Sequence, residues 1–200
     1  MPVMLIFVIL VCVLLQYKIR HNTKDEVDRN AEFWERERRA NTARKKNIDE
    51  LPYITVPECL PYHEDESDPE VRSVEEQVRK LSGVKMLRLT GLSNTDLKLA
   101  YGVANLNTLS ACDENYARFI RCLNKWGRLL AARGEIENAR KVLSLAVSVG
   151  SDIEESYVLL AGMYEGDDEK IEGLLAAADK NFEEPRRSKV MDGVRHPLAR

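Results

Sequence analysis

The chain has 200 residues, of which 44% are hydrophobic and 32% are charged, and its formal net charge is -3 at pH 7. This composition fits a soluble domain with an added apolar segment, and the slightly acidic balance argues against a nucleic-acid partner. The four cysteines include no CxxC pair, which favours a reducing compartment over a disulfide framework.

An apolar segment opens the chain, since residues 1–17 carry no charge, whereas Lys18, Arg20 and Lys24 follow closely. A helix of this length nearly spans a bilayer, and we predict a transmembrane anchor over residues 1–20. A cleaved signal peptide is the alternative, but the segment has neither a preceding basic region nor a following cleavage site. Because lysine and arginine flank only its C-terminal side, we expect a single-pass protein of the cell membrane, with its N-terminus outside and the bulk of the chain in the cytoplasm.

A charged juxtamembrane helix is predicted over residues 21–50, where acid-before-base pairs such as Glu35 and Arg39 stabilise an exposed helix. Its second half is basic and follows Phe33 and Trp34, so it is suited to lie along anionic lipid. The predicted lipid-contact residues are Arg36, Arg38, Arg39, Arg44, Lys45 and Lys46. An ordinary solvated face is the alternative, which the acids of the first half favour.

A proline-rich and acidic connector spans residues 51–67, and Pro52, Pro57 and Pro61 prevent a helix in its first part. The apolar side chains between these prolines are too many for a free linker. We therefore predict an extended segment that packs on its own domain, with recognition of a foreign partner as the alternative. The run from His63 to Glu70 is acidic and is expected to form a solvated turn.

Residues 68–112 are predicted to form a capping helix and a loop segment. The helix runs from Glu70 to Leu81, with Asp68 as its N-cap and Pro69 at its first position. Loops and short strands are expected for Val84 to Tyr101, because the apolar pattern there is uneven.

An internal repeat occupies residues 113–182, and its first helix is predicted to begin near Asp113. The first helices of the two copies match at a shift of 34 residues: Leu123, Trp126, Gly127 and Leu130 align with Tyr157, Leu160, Ala161 and Tyr164. The second helices match at a shift of 32 residues: Gly134, Ala139, Leu143 and Ala146 align with Gly166, Ile171, Leu175 and Ala178. A period of this length is typical of stacked helix pairs.

This pattern resembles the tetratricopeptide repeat (TPR) over about a third of the chain. The resemblance implies two TPR-like helix pairs that supply a docking surface for a protein or peptide, and it implies no catalytic chemistry. The layout is also similar to that of small bacterial repeat proteins anchored by a single span. The predicted fold class is therefore mainly α, with a transmembrane helix, a juxtamembrane helix and a TPR-like hairpin array on which the Pro-rich segment packs.

The family resemblance also implies a concave groove lined by the inner helix of each pair. Polar residues of the first inner helix are expected to contact the partner: Arg121, Asn124, Lys125 and Arg128. Such a basic groove attracts an acidic or C-terminal peptide, and an ordinary charged surface is the alternative. A sharper hypothesis is that the acidic run from His63 to Glu70 covers this face until a partner displaces it.

Motifs of catalysis are absent, since the three histidines are scattered and no nucleotide, hydrolase or zinc-site spacing occurs. We therefore predict no enzyme activity, no cofactor and no metal site.

The preferred function is a non-catalytic, membrane-anchored adaptor for an unidentified protein partner. One alternative is a self-assembling structural subunit in which the face near Tyr157, Leu174 and Leu175 stacks on another copy. The other is a lipid-surface sensor that uses the basic half of the juxtamembrane helix. Residues 183–200 are expected to be a flexible tail.

Overall fold

A computed structural model of the chain is mainly α-helical, which confirms the predicted class. It describes the following residues: 16, 18, 29–64, 67–164 and 166–197. Within them the secondary structure contains no strand, and no helix combines the length and the apolar content that a bilayer span requires. The predicted anchor over residues 1–20 and the start of the predicted juxtamembrane helix lie outside the described residues, apart from positions 16 and 18.

Two compact units divide the chain. The first unit comprises Met1–Asp49 and Gly91–Asn107, and the second comprises Glu50–Thr90 and Thr108–Arg200. In the described residues the helices are, in chain order, α1 (29–41), α2 (Pro69–Ser82), α3 (Asn94–Tyr101), a 3₁₀ turn (Val103–Asn105), α4 (Leu106–Ala132), α5 (Ile136–Ser148), α6 (Glu154–Met163), α7 (Asp168–Asn181) and α8 (Arg186–Arg195).

In the first unit, α1 pairs with α3 through charged side chains. The Glu37 carboxylate binds the Lys98 ammonium and accepts a hydrogen bond of 2.7 Å from the Thr95 hydroxyl. These two hydrogen bonds, the one from Lys98 foremost, hold the pKa of Glu37 below its usual value. Arg36, the residue before Glu37, forms an ion pair with Asp96, so two ion pairs join the helices.

The first helix ends at residue 41, so the predicted juxtamembrane helix does not continue to residue 50. The backbone N–H of Lys46 donates to the Tyr101 carbonyl at 3.0 Å, and the Asn105 side chain donates to the Lys46 carbonyl at 2.8 Å. These tertiary hydrogen bonds replace those that a longer helix would form. Ion pairs between residues four apart stabilise a helix by only about 0.3 kcal/mol each. This is too little to extend the helix in competition with the tertiary hydrogen bonds.

Helix α3 occupies part of the stretch for which the sequence predicted loops and short strands, and the strand prediction is wrong there. Its N-terminus is a capping box. The Ser93 hydroxyl oxygen accepts a hydrogen bond of 3.2 Å from the Asp96 N–H, and the Asp96 carboxylate accepts one of 3.0 Å from the Ser93 N–H. This local capping outweighs the uneven apolar pattern.

The predicted capping helix is confirmed as α2. Asp68 accepts a hydrogen bond of 2.8 Å from the Glu70 N–H, and a proline occupies the first turn. Val71, Val74 and Val78 are buried, so the apolar stripe that the sequence shows faces the core of the second unit.

Helix α4 begins at Leu106, earlier than the predicted start at Asp113. Asp113 lies inside the helix, where its carboxylate accepts a hydrogen bond of 3.0 Å from the Leu89 N–H. The Leu87 N–H donates to the Cys112 carbonyl at 3.2 Å in the same region. The prediction of a cap is therefore wrong, because Asp113 holds an extended segment that is distant in sequence.

The Pro-rich segment packs on the second unit, to which it belongs. The Ile54 N–H donates to the Met86 carbonyl at 2.9 Å, and Leu60 is buried in the core. The Tyr62 ring stacks on the buried Trp126 ring, with the two centroids 5.1 Å apart. These contacts agree with the prediction that the segment docks on its own domain.

Helices α4 and α5 approach closely because Gly127 has no side chain. A Cβ atom at Gly127 would lie 2.5 Å from Cγ of Leu143 on α5. Leu123, Trp126 and Leu130 are fully buried beside this contact. The residues that align in the sequence repeat are thus packing residues in the first helix pair.

Helix α8 lies where a flexible tail was predicted over residues 183–200, so that prediction is wrong for the residues of this helix. Val190 and Val194 are buried in an apolar cluster with Tyr157 and Leu174. One face of α8 therefore covers the surface that the self-assembly hypothesis left open for another copy. Glycine and proline in the tail suggested a loop, but burying two valines outweighs the low helix propensity of a single glycine.

Candidate binding groove

A groove with a volume of about 780 Å³ lies in the second unit, between α4, α6 and α8. Its apolar lining residues are buried or half-buried: Ala117, Ile120, Ile153, Val158 and Leu159. Charged side chains of both signs surround them: Arg121, Asp152, Glu154, Glu155, Arg186 and Lys189. An apolar floor with a small number of charged groups is the usual character of a binding cleft, and this volume lies in the range of ligand sites.

A glycine sets the distance between two walls of the groove. Gly193 of α8 is buried, and a Cβ atom there would lie 2.9 Å from Cγ2 of Val158 on α6. A larger residue at position 193 would therefore require the Val158 side chain or one of the two helices to shift.

Two polar contacts join α8 to the start of α6. The Lys189 ammonium binds the Glu154 carboxylate at 3.0 Å, and the Arg186 guanidinium donates to the Asp152 carbonyl at 2.9 Å. Because the Lys189 side chain is largely exposed, the ion pair adds little stability and serves mainly to orient the two helices.

Buried tyrosines fix the loop that leads into α6. The Tyr157 hydroxyl donates to the Ser151 carbonyl at 2.8 Å, and the Tyr116 hydroxyl donates to the Gly150 carbonyl at 2.7 Å. Burial raises the pKa of Tyr116 to about 12 and also raises the pKa of Tyr157. Both hydroxyls therefore remain protonated donors over the physiological pH range.

The four residues predicted to form a basic groove have different environments. Arg121 lines the groove, whereas Lys125 is exposed outside it. The Asn124 amide donates to the Glu155 carboxylate at 2.7 Å, and Arg128 approaches the same carboxylate at 3.9 Å. Glu155 of α6 thus partly neutralises the basic face of α4, a pairing between repeat copies that the spacing along one helix does not reveal.

The described part of the acidic run is engaged elsewhere in the second unit. His63 contacts the carboxylates of Glu75 and Glu135, at 2.7 and 3.1 Å, and Asp68 caps α2. Residues 65–66 lie outside the described residues. Among the described residues, no contact between this run and the basic face supports the hypothesis that the run covers it. Asn124 and Arg128 of that face contact Glu155 instead.

The groove presents apolar and charged side chains that are suited to reversible binding. Among the residues that the structure describes, no three side chains of histidine, cysteine, aspartate or glutamate are placed to hold a metal ion. The nearby Cys122 thiol has a pKa raised by burial, which disfavours the reactive thiolate.

Sequence reasoning missed Arg186 and Lys189, which line the groove from α8. The sequence did contain a pattern for the helix that carries them, because Val190 and Val194 have helical spacing next to these basic residues. That spacing covers only one helical turn, whereas the glycine and prolines of the same stretch indicated a flexible tail.

Comparison with known proteins gives no relative. No family model matches the chain, and neither a curated protein nor a solved structure matches it significantly. The proposals below therefore depend on the chain itself.

Proposed function

We propose that this chain is a non-catalytic adaptor, anchored in a membrane by its apolar N-terminus, that holds a segment of a partner protein at the cytoplasmic face. The observation that carries this proposal is the groove between α4, α6 and α8, with its apolar floor and charged surroundings. No cofactor enters the proposal, since binding alone is sufficient for an adaptor.

The helix arrangement supports a TPR-like reading of this region. Helices α4 with α5 and α6 with α7 correspond to the two sequence repeats, and α8 packs against both helices of the second pair. Three helices in alternate positions of the chain line one groove, which is how repeated helix pairs build a concave surface. The close contact of Gly127 with Leu143 supports the same assignment.

The exposed face of α4 beside the groove favours a partner segment that combines acidic and apolar side chains. Arg118, Arg121 and Lys125 are exposed at three- and four-residue spacing on α4, so they share one face. Within the part of the chain that the structure describes, none of them has a carboxylate at ion-pair distance. An acidic side chain of the partner supplies the missing charge, while its apolar neighbours enter the floor.

The test uses the intact protein in membranes of its source cells. A photo-crosslinking amino acid replaces the groove residue Leu159, and a second protein carries it at the exposed Lys141 of α5 as a control. We expect one protein to be crosslinked from position 159 and not from position 141. Changing Arg118, Arg121 and Lys125 to glutamate should reduce its recovery by about tenfold or more.

A matched variant makes this test specific. It carries the same charge change at three exposed basic residues outside the groove, Lys80→Glu, Lys141→Glu and Lys180→Glu, and should retain the crosslink. Equal recovery from both triple variants would overturn the proposal that the basic face of α4 binds the partner. A crosslink only to a second copy of the chain would replace the adaptor with the self-assembling subunit.

A further inference from the structure

The first unit holds most of the large apolar side chains that the described residues expose. Of the seven such residues, five belong to this unit: Phe33, Trp34, Leu92, Leu99 and Val103. Phe33 and Trp34 are 53% and 62% exposed, and their rings contact each other edge to face at 5.3 Å. An exposed aromatic pair of this kind is unusual on a surface that meets only water.

The two units differ in the sign of their net charge. The first unit contains eleven lysine and arginine residues against eight aspartate and glutamate residues, while the second contains 19 against 25. The chain as a whole is slightly acidic, so the unit that exposes the aromatic pair is the one with an excess of basic over acidic residues.

Within the first unit, the backbone of Arg44, Lys45 and Lys46 is held in place. The Lys46 N–H and carbonyl both form hydrogen bonds, to Tyr101 and Asn105 respectively. Gly102 has a φ of 87°, and a Cβ atom there would lie 2.4 Å from the Arg44 carbonyl oxygen. The three residues, which we name the basic triplet, are therefore fixed where only a glycine leaves room for their backbone.

The side chains of the basic triplet are exposed, and none has a carboxylate at ion-pair distance in the described parts of the chain. Arg36 and Arg38 differ, because they pair with Asp96 and Glu35. Three adjacent like charges on a fixed backbone repel one another, and an anionic partner relieves that repulsion. The structure thus presents unpaired positive charge that is organised before any partner arrives.

We propose that the basic triplet, together with Phe33 and Trp34, binds the surface of an anionic lipid bilayer. Phosphate headgroups pair with the cations, and the aromatic side chains enter the boundary between headgroups and acyl chains. Exposed apolar side chains favour lipid over nucleic acid, whose phosphates have no apolar layer beneath them. This interaction does not depend on the groove, and it sharpens the predicted lipid-contact set by removing Arg36 and Arg38, which are paired within the unit.

Tryptophan fluorescence of the full chain tests the proposal. The chain has two tryptophans, and Trp126 is fully buried, so Trp34 is the one that reports contact with lipid. The protein is reconstituted with vesicles of phosphatidylcholine alone or of phosphatidylcholine mixed with phosphatidylglycerol, each containing a brominated lipid that quenches tryptophan on contact. We expect stronger quenching in the anionic vesicles, reversed by high salt.

Three variants decide the interpretation. Arg44→Glu with Lys45→Glu and Lys46→Glu should weaken the local binding equilibrium by about 100-fold, because each basic residue near an anionic surface strengthens it about fivefold. The matched triple variant at Lys80, Lys141 and Lys180 should quench like the parent, and Trp34→Phe should remove the response to anionic lipid.

Equal quenching in neutral and anionic vesicles would overturn the proposal, because the apolar N-terminus alone would then account for membrane contact. An unchanged response in the basic-triplet variant would also overturn it. Loss of oligonucleotide binding in that variant, with no lipid response in the parent protein, would reassign the surface to a nucleic acid.

Discussion

At the residue scale, His63 joins three parts of the second unit. It follows the Pro-rich segment, and its ring contacts Glu75 of α2 at 2.7 Å and Glu135 between α4 and α5 at 3.1 Å. Arg133 pairs with Glu135 at 3.1 Å, so one cation already faces this group. The hydrogen bond to Glu75 is the main cause that raises the pKa of His63, although burial opposes it.

The raised pKa of His63 predicts a pH-dependent stability. The stabilisation is fully present below the unfolded pKa of about 6.5 and is lost as pH rises through the higher folded pKa. The difference in unfolding free energy between the parent protein and His63→Gln should therefore be larger at about pH 5.5 than at about pH 8.5. Urea unfolding of both proteins measures it, and a difference that does not change with pH would show that folding does not shift the pKa of the histidine.

Two glycines in helices should respond in opposite directions to the same change. Gly127→Ala places a methyl group against Leu143, and we expect a loss of about 1 to 3 kcal/mol because the packed core must shift. Gly173→Ala meets open space on the exposed face of α7 and should stabilise by about 1 kcal/mol through helix propensity. Thermal unfolding of both variants decides this, and equal signs would contradict the close packing of α4 on α5.

At the scale of single elements, α8 should act as the cover of the second helix pair. Val190→Ala removes two buried methyl groups next to Tyr157 and Leu174, and we expect a loss of about 2 kcal/mol. Arg195→Ala, on the exposed side of the same helix, should change stability by less than about 0.5 kcal/mol. Similar stability for both variants in urea unfolding would mean that α8 is not docked in solution.

Local signals explain which helices the sequence could predict. The start of α2 is determined by Asp68 and the proline after it, so a short stretch of sequence was sufficient. The start of α4 was missed because Asp113 resembles an N-cap, whereas its hydrogen bond goes to Leu89. A residue type shows what a side chain can accept, but the donor that it meets depends on the tertiary fold.

At the scale of the whole molecule, the helical character of residues 113–182 was the feature that the sequence predicted best, because apolar residues recur there at helical spacing. The groove could be predicted only in part. Arg121 was identified from its position on α4, but the neutralising contact from Glu155 and the wall formed by α8 depend on how separate helices come together. Long-range partners of this kind leave no pattern in one sequence.

The two tryptophans offer a check on the fold of the whole chain. Trp126 is fully buried under Tyr62, while Trp34 is 62% exposed. In detergent solution, Trp34→Phe should therefore shift the emission to shorter wavelength and strongly reduce quenching by acrylamide. Strong acrylamide quenching that persists in Trp34→Phe would show that Trp126 is open to solvent and that the Pro-rich segment does not cover it.

The position of α8 also has a consequence for the order of synthesis. A chain emerges from the ribosome N-terminus first, and the groove lacks its third wall until Arg186–Arg195 has been made and folded. Translation beyond this point closes the apolar surface of Tyr157 and Leu174 and creates the groove in the same event. A ribosome that stalls earlier leaves a product without the complete groove, in which the apolar surface of Tyr157 and Leu174 stays exposed.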